Sequence, residues 1–453
     1  MSRNAHADAL IAFLNASPTP FHAVQTAADR LSALGAVQLD EKDAWSLKPG
    51  QTAFVTRNGS SLVAFRLPAD VSRPKFRIAA AHTDSPCLKL KPRSPEPSAN
   101  YRQWGVEVYG GVLYNSWLDR DLGVAGRVTR MDGGAIRSSL VRNEGKPFRI
   151  PQLAIHLDRG VNESGLILNA QRHLQPVLGL VGSGGQGPGG QGPGGQGPLG
   201  ALAGGRTLEG WLEETLGAPF GSLTFELHLY DTSPAGYGGF DDEFIFSGRL
   251  DNLAMSHAAL EAFCAEGAGP GSASGAAGTI QVAALFDNEE VGSTSAQGAN
   301  SNLIQAVLER CLLALGRTRE EIMAAMARSH IVSADMAHAI HPNYPEKHEP
   351  YHYPLINHGP VIKANASMRY ATNAETSALF RGLCAKAAVP FQDFVNRTDL
   401  ACGTTIGPHV AAALGIPTVD VGNPMLSMHS AREMCGSEDH GMMIRTLREF
   451  FRE

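Results

Sequence analysis

The chain has 453 residues, of which 43% are hydrophobic and 18% are charged, and its formal net charge is −6 at pH 7. This length is too great for one small hydrophobic core, so we expect at least two domains of ordinary globular composition. Because Lys and Arg residues form no block along the chain, the composition argues against an extended nucleic-acid-binding surface.

The first predicted elements are two helices and a buried strand. Apolar residues recur at helical spacing within residues 9–14 and 21–31, and Pro18 and Pro20 separate the two helices. Residues 76–81, apolar except for Arg77, predict a short buried strand that ends at His82.

The chain changes character between residues 91 and 235. Apolar or alternating runs at residues 106–109, 135–141, 153–157 and 223–229 are separated by glycine-rich turns, which indicates β-structure. Helical periodicity returns only around residues 208–216. Residues 182–205 contain the sequence Gly-Gly-Gln-Gly-Pro three times and predict a solvated loop without chemistry of its own.

Strand-like and helix-like runs alternate from residue 240 to the end of the chain. The strands are expected at residues 279–286, 330–334 and 417–421, and the helices at residues 256–263, 301–315, 374–387 and 441–451. We therefore predict an α/β catalytic domain, formed by residues 1–90 and 236–453, with a central mixed sheet and helices on both faces. A β-rich domain, residues 91–235, interrupts it.

Several features favour a cytoplasmic protein that does not enter a membrane. The N-terminal residues lack the charged region and apolar core of a secretory signal. No run reaches the roughly 20 apolar residues that a membrane span needs. The six cysteines are scattered without C-x-x-C pairing, so we expect buried thiols in a reducing compartment.

Five of these segments carry a His, Asp or Glu residue at one end. These residues are His82, Asp251, Glu290, Asp335 and His429, with Asp84 and Glu289 beside two of them. Taken singly, such residues are better explained as helix caps, hydrogen-bonded pairs or solvated surface. Because ligands gather beyond the carboxyl ends of the strands in an open α/β sheet, five together predict one shared site.

The residue types at these positions suit a pair of metal ions. Imidazole and carboxylate groups bind zinc, and one carboxylate can bridge two ions. Asp84 follows His82 by two residues and is suited to orient its imidazole, and Glu289 is suited to take a proton from a bound water. The residues alone thus predict a metal-assisted hydrolase.

The same motifs resemble the aspartyl aminopeptidases of the M18 metallopeptidase family. The resemblance covers almost the whole chain. Its motifs are H-T-D-S-P at residues 82–86, N-S-W-L-D-R-D at residues 115–121, D-N at residues 251–252, D-N-E-E-V-G-S at residues 287–293, S-A-D-M-A-H at residues 333–338, K-A-N at residues 363–365, R-Y-A-T at residues 369–372 and M-H-S at residues 428–430. The repeats at residues 182–205 depart from the family pattern.

The resemblance implies a role for each site residue. His82 and Asp335 would bind one metal ion, Glu290 and His429 the other, and Asp251 would bridge them. Glu289 would be the general base for a metal-bridged water, and Asp84 the carboxylate that orients a ligand. His156 would act in the site of a neighbouring subunit or bind its zinc. Lys363 would recognise an acidic first residue of the substrate.

The resemblance also implies the cofactors, substrates and assembly. Two divalent ions per subunit are expected, zinc first, with cobalt or manganese able to substitute. The substrates would be peptides with a free N-terminus, preferably Asp or Glu, and the inserted domain would serve dimerisation within a tetrahedral dodecamer. Two alternatives stay open: a related two-metal deacylase or dipeptidase, and a catalytically silent scaffold. For Lys363, a plain surface lysine is an equally good interpretation of the sequence.

Overall fold

The computed structural model of the protein describes residues 4–181, 207–265 and 277–453. The predicted loop at residues 182–205 therefore lies outside the described residues. The chain divides into two compact units, one made of Met1–Pro86 and Pro234–Glu453 and the other of Cys87–Ser233. That the inserted unit serves dimerisation stays a prediction.

The helices of the described residues include every helix predicted from the sequence. They are α1 (Ala5–Ala16), α2 (Pro20–Ala33), α3 (Val161–Ser164), α4 (Ala170–His173), α5 (Leu208–Leu216), α6 (Leu250–Ala265), α7 (Leu303–Ala314), α8 (Arg319–Ala327), α9 (Ala374–Lys386), α10 (Ile406–Leu414) and α11 (Asp439–Arg452). The helical periodicity was thus a reliable guide, although it missed the short α3, α4, α8 and α10.

The strands are mostly short. They are β1 (Val37–Leu39), β2 (Thr52–Arg57), β3 (Ser61–Arg66), β4 (Lys75–His82), β5 (Cys87–Leu90), β6 (Tyr101–Gln103), β7 (Val106–Tyr109), β8 (Leu122–Asp132), β9 (Ala135–Arg142), β10 (Val177–Leu180), β11 (Thr224–Asp231), β12 (Gly236–Gly238), β13 (Phe244–Ser247), β14 (Thr279–Phe286), β15 (His330–Ala334), β16 (Ala337–His338), β17 (Val361–Ala364), β18 (Gln392–Val395), β19 (Thr418–Gly422), β20 (Pro424–Leu426) and β21 (Glu433–Gly436).

A nine-stranded mixed sheet forms the centre of the first unit, in the order β1-β2-β3-β14-β4-β15-β19-β17-β18. Its four middle strands, β14, β4, β15 and β19, run parallel to one another. Alternate residues of β4 enter different clusters of buried side chains: Ala79 and Ala81 pack with α1, α2, α6, α9 and α11, whereas Ile78 and Ala80 pack with α7, α8 and α10. Helices therefore cover both faces, and the predicted α/β fold class is confirmed.

A second sheet of the first unit has five short strands in the order β12-β13-β21-β20-β16. Strand β21 lies in its middle and pairs antiparallel with β13 on one side and with β20 on the other. None of the strands of this sheet was predicted from the sequence, because runs of two to four residues are too short to show a period.

The inserted unit is built on a five-stranded antiparallel sheet in the order β7-β5-β11-β8-β9. Gly133 and Gly134 join β8 to β9, and both have positive φ angles (56° and 85°), as a two-residue hairpin of this kind requires. The strand predicted at residues 153–157 is wrong, since this segment is an exposed loop. Its apolar side chains lie in solvent, and they pair with no strand of the described chain.

All six cysteines are free thiols. Five are buried, as expected, and Cys402 is half-buried. Within the described ranges, no helix combines the length and apolar character that a membrane crossing would require.

Candidate metal centre

The parallel strands at the middle of the large sheet bring three of the predicted segments together. His82 is the last residue of β4, and it pairs with Phe286, the last residue of β14. The segment that follows β14 carries Glu289 and Glu290, and β15, the other neighbour of β4, is followed by Asp335. Because these strands are parallel and adjacent, their carboxyl ends meet at one edge, as the sequence predicted.

Two further segments complete the cluster. Asp251 lies at the start of α6, before the helix becomes regular, and its peptide bond to Asn252 is cis. The Asn252 side chain donates a hydrogen bond to the carbonyl of Ala334 at 2.9 Å, which ties the start of α6 to the end of β15. His429 follows β20 in a turn and has a positive φ angle of 67°.

The side chains form two groups that share Asp251. His82 Nε2 lies 3.6 Å from Asp251 Oδ1 and 3.8 Å from Asp335 Oδ2. On the other side, His429 Nε2 lies 3.4 Å from Asp251 Oδ2 and 3.4 Å from Glu290 Oε2. Two ligands at zinc–ligand distance in a tetrahedral shell are separated by about 3.4 Å, so these spacings suit atoms that surround common ions.

Unsatisfied oxygens support the same interpretation. Asp251 Oδ1 and Glu290 Oε1 are buried, and neither has a hydrogen-bond partner among residues 4–181, 207–265 and 277–453. Because buried polar atoms in native proteins are almost always paired, such oxygens call for a ligand. Nitrogen and carboxylate donors in this number fit zinc. Two sets of potential ligands, His82 with Asp251 and Glu290, and His82 with Glu289 and Asp335, have their ligand atoms within 4.8 Å of one another.

The electrostatics of the cluster favour a bound cation. Burial, followed by the neighbouring carboxylate of Asp251, holds the pKa of Glu290 well above its ordinary value. Burial likewise raises the pKa of Asp335, and it raises the pKa of Glu289 to about 8. Burial lowers the pKa of His82, but the hydrogen bond that its imidazole donates to Asp84 and the surrounding carboxylates outweigh this effect, so the pKa lies well above its usual range. Positive charge is therefore strongly stabilised here.

Asp84 connects the end of β4 to the segment after β14. Its carboxylate accepts hydrogen bonds from the backbone N–H groups of Glu289 and Glu290, both at 3.1 Å. Asp84 Oδ1 also lies 3.3 Å from His82 Nδ1. The carboxylate thus faces the imidazole that it was predicted to orient, and it additionally fixes the backbone of both glutamates.

Lys363 is buried, with 3% of its surface exposed, so the interpretation as a surface lysine is wrong. Its Nζ donates a hydrogen bond to the carbonyl of Met336 at 2.8 Å and lies 3.5 Å from Asp335 Oδ1. The ammonium group also lies 5.4 Å from the centre of the Tyr370 ring. It therefore carries its charge into the interior beside a predicted ligand.

A cavity of about 380 Å3 is lined by the five predicted ligands together with Glu289 and Lys363. Its wall also includes residues that the sequence reasoning did not single out, namely His338, Tyr370, Phe394 and Thr405. His338 ends the motif S-A-D-M-A-H, so its position after Asp335 was a usable signal. Tyr370 lies in the motif R-Y-A-T that follows Lys363, whereas Phe394 and Thr405 come from segments without a chemical pattern.

His156 belongs to the inserted unit, where it lies exposed in the loop that follows Ile150. It is not a member of the ligand groups found among the described residues of the chain. Its action in a neighbouring subunit stays a prediction.

The chain is similar to known proteins along almost its whole length. The family described as aminopeptidase I zinc metalloprotease (M18) matches residues 13–451. A probable aspartyl aminopeptidase of Ricinus communis is 44% identical over 464 residues, which cover 98% of this chain and 94% of the relative. A cryo-EM structure of the Ape4 and Nbr1 complex aligns with a TM-score of 0.89 at 39% identity, over 99% of this chain and 85% of that chain. The mApe1 dodecamer of S. cerevisiae aligns with a TM-score of 0.81 at 28% identity, over 99% of this chain and 96% of that chain.

Proposed function

The chain belongs to the M18 family of zinc aminopeptidases, and we propose that it removes the N-terminal residue of peptides, preferring Asp and Glu, at a pair of divalent ions. The observation that carries this proposal is the position of Asp251 between two histidines. Its Oδ1 lies 3.6 Å from His82 Nε2, and its Oδ2 lies 3.4 Å from His429 Nε2. A carboxylate that faces one imidazole with each oxygen is suited to bridge two ions.

The proposed ligands divide into two sets around that bridge. His82 and Asp335 would hold one ion, and Glu290 and His429 the other, with Asp251 in both sets. Zinc is expected, and cobalt or manganese can substitute, because the donors are imidazoles and carboxylates. When bound, the metal pair supplies Lewis acidity that polarises the peptide carbonyl and makes a water molecule more acidic.

Glu289 is the proposed general base. Its Oε2 lies 3.9 Å from His82 Nε2, within the same cavity, and two backbone hydrogen bonds to Asp84 hold the segment that carries it. Burial favours the protonated form of this carboxyl group, which makes the carboxylate a ready proton acceptor. Glu289 would take the proton of the attacking water and return it to the leaving amine.

Lys363 is the proposed determinant of acidic specificity. A buried ammonium at the cavity wall favours a substrate side chain of opposite charge, and low local polarity strengthens such a contact. The Ricinus communis relative is named as a probable aspartyl aminopeptidase, which supports the same preference. A free α-amino group would be bound near one metal ion, so the enzyme would act only at the N-terminus.

The proposed assembly is a dodecamer in the cytoplasm. The mApe1 structure is a dodecamer, and the similarity to it extends over 99% of this chain. In such an assembly the inserted unit would serve dimerisation, and His156 would contribute to the site of a neighbouring subunit.

The test is hydrolysis of aminoacyl chromogenic substrates with Asp, Glu, Leu and Lys at the N-terminus, and of an N-acetylated Asp control. We expect cleavage of the Asp and Glu substrates that a chelator abolishes and zinc restores, with the acetylated control untouched. Cleavage of the blocked substrate would instead identify a deacylase or dipeptidase. Protein that binds no metal and cleaves nothing after addition of zinc, cobalt or manganese would be a scaffold.

A further inference from the structure

Glu433 is a fully enclosed acidic residue for which neither the sequence pattern nor the proposed mechanism provides a role. It has 2% of its surface exposed and lies on β21. Its Oε1 accepts a hydrogen bond from the backbone N–H of His429 at 2.8 Å. Its Oε2 accepts one from the backbone N–H of Asp251 at 3.2 Å. One carboxylate thus joins two residues whose side chains are proposed metal ligands.

The two N–H groups belong to segments that are far apart in sequence. Asp251 precedes Glu433 by 182 positions, whereas His429 precedes it by 4. The side chains of these partners face each other, with His429 Nε2 at 3.4 Å from Asp251 Oδ2. Each oxygen of Glu433 accepts from the backbone of one partner, so the carboxylate links the two segments that carry these side chains.

Glu433 is itself held on a rigid support. Strand β21 is the middle strand of the five-stranded sheet, and Glu433 pairs with Ser247 of β13. The turn that it fixes needs such support, because Ser427 and His429 both have positive φ angles, 57° and 67°. Residues other than glycine occupy this region sparsely and keep it only when the surroundings enforce it.

The contact suits a side chain that can accept two hydrogen bonds at once. Both partners are N–H donors, and a carboxylate offers an acceptor oxygen to each. A glutamine of the same shape offers one oxygen and one NH2 group, so one N–H would face another donor. We propose that Glu433 is a positioning residue that sets the spacing of Asp251 and His429 and thereby the affinity for the metal ion held between them.

This inference rests on the proposed metal centre, and its test measures metal binding directly. Metal-free protein is titrated with zinc against a chromophoric chelator, and thermal unfolding of the same metal-free samples reports on folding. We expect E433Q to bind zinc about 10- to 100-fold more weakly than the parent, as is usual when a group that orients a ligand is removed.

Asp439 provides a matched control. It is fully buried, and its carboxylate also accepts two backbone hydrogen bonds, from Asn357 at 2.6 Å and Gly359 at 2.8 Å. These two partners do not line the cavity of the proposed site. D439N should lower the melting temperature of the metal-free protein and leave its zinc affinity unchanged. Equal weakening of zinc binding in both variants would overturn the inference, since loss of stability alone would then explain it.

Other outcomes are equally decisive. Parental zinc affinity in folded E433Q would overturn the role of Glu433 and leave the proposed function intact, whereas a parent that binds no zinc would overturn the function itself. If E433Q does not fold, E433D is measured, because its shorter side chain keeps both acceptors but cannot reach both donors. Weaker zinc binding by E433D supports the inference, and parental affinity contradicts it.

Discussion

Replacement of Lys363 by methionine tests the proposed acidic specificity. Methionine fills a similar volume without the charge, so the change removes the ammonium and leaves little cavity. In the native protein this ammonium is buried, donates to the carbonyl of Met336 at 2.8 Å and lies 3.5 Å from Asp335 Oδ1. The substitution will therefore disturb Asp335 and reduce activity on every substrate.

The informative quantity is a ratio, in which that general loss cancels. A hydrogen bond between charged groups is worth about 1.5–3 kcal/mol, and each 1.4 kcal/mol corresponds to a tenfold change. The ratio of kcat/KM for an Asp substrate to that for its uncharged Asn analogue should thus fall about 10- to 150-fold in K363M. Burial keeps solvent and salt from screening the contact, so the upper part of this range is reachable.

The assay compares chromogenic Asp and Asn substrates on zinc-loaded parent and variants at equal metal content. Lys386 supplies the control, because it is exposed and paired with Glu453, outside the cavity, and K386M should keep the parental ratio. A K363M enzyme with the parental Asp-to-Asn ratio would refute the reasoning, whatever its absolute activity. The acidic preference would then require another cation.

Three further results are expected. E289Q should lose about 100- to 10,000-fold in kcat while it keeps its zinc, and retained activity would show that Glu289 is not the base. Burial lowers the pKa of His440 to about 3, so the folded state binds fewer protons than the unfolded state below pH 6.5. Lowering the pH from 6.5 to 3 should therefore reduce the free energy of unfolding by up to about 5 kcal/mol. Urea unfolding of H440Q should show a smaller decrease over the same pH range than the parent does. F263A removes a buried ring packed against Phe451 and should lower the free energy of unfolding by about 3–5 kcal/mol. F240A, at a fully exposed ring, is the control, and a change above about 0.5 kcal/mol in this variant would contradict the burial argument.

The parts of the fold that the sequence predicted are those with long, uniform patterns. Strands β4 and β14 have eight residues each, nearly all buried, and most of these residues are apolar because helices cover both faces of the sheet. Their ends could be located to within a residue. Because the predicted metal ligands lie at or just after the carboxyl ends of the parallel strands, the predicted strand ends also gave the positions of His82, Glu290 and Asp335.

The errors and omissions have physical causes of their own. The sequence of residues 153–157 alternates like that of a strand, but Leu153 and Leu157 are 58% and 74% exposed. These apolar side chains therefore do not belong to the hydrophobic core of the inserted unit. The contact between Glu433 and Asp251 joins a side chain to a backbone N–H group 182 positions away. Such a partner leaves no trace in the residue types of either segment, because every residue except proline has that N–H group.

The two adjacent glutamates illustrate what only the structure can supply. Sequence reasoning suggested Glu290 as a ligand and Glu289 as a proton acceptor, and the family resemblance implied the same roles, but neither gives the positions of the two side chains. In the structure, Asn288 turns the chain with a φ angle of 64°, and Asp84 then holds the N–H groups of both glutamates at 3.1 Å. With the backbone held in this way, the two side chains approach different histidines. Glu289 Oε2 lies 3.9 Å from His82 Nε2, whereas Glu290 Oε2 lies 3.4 Å from His429 Nε2. The two neighbouring carboxylates thus face different histidines while one buried carboxylate holds the backbone of both, which supports the proposed division into a base, Glu289, and a ligand, Glu290.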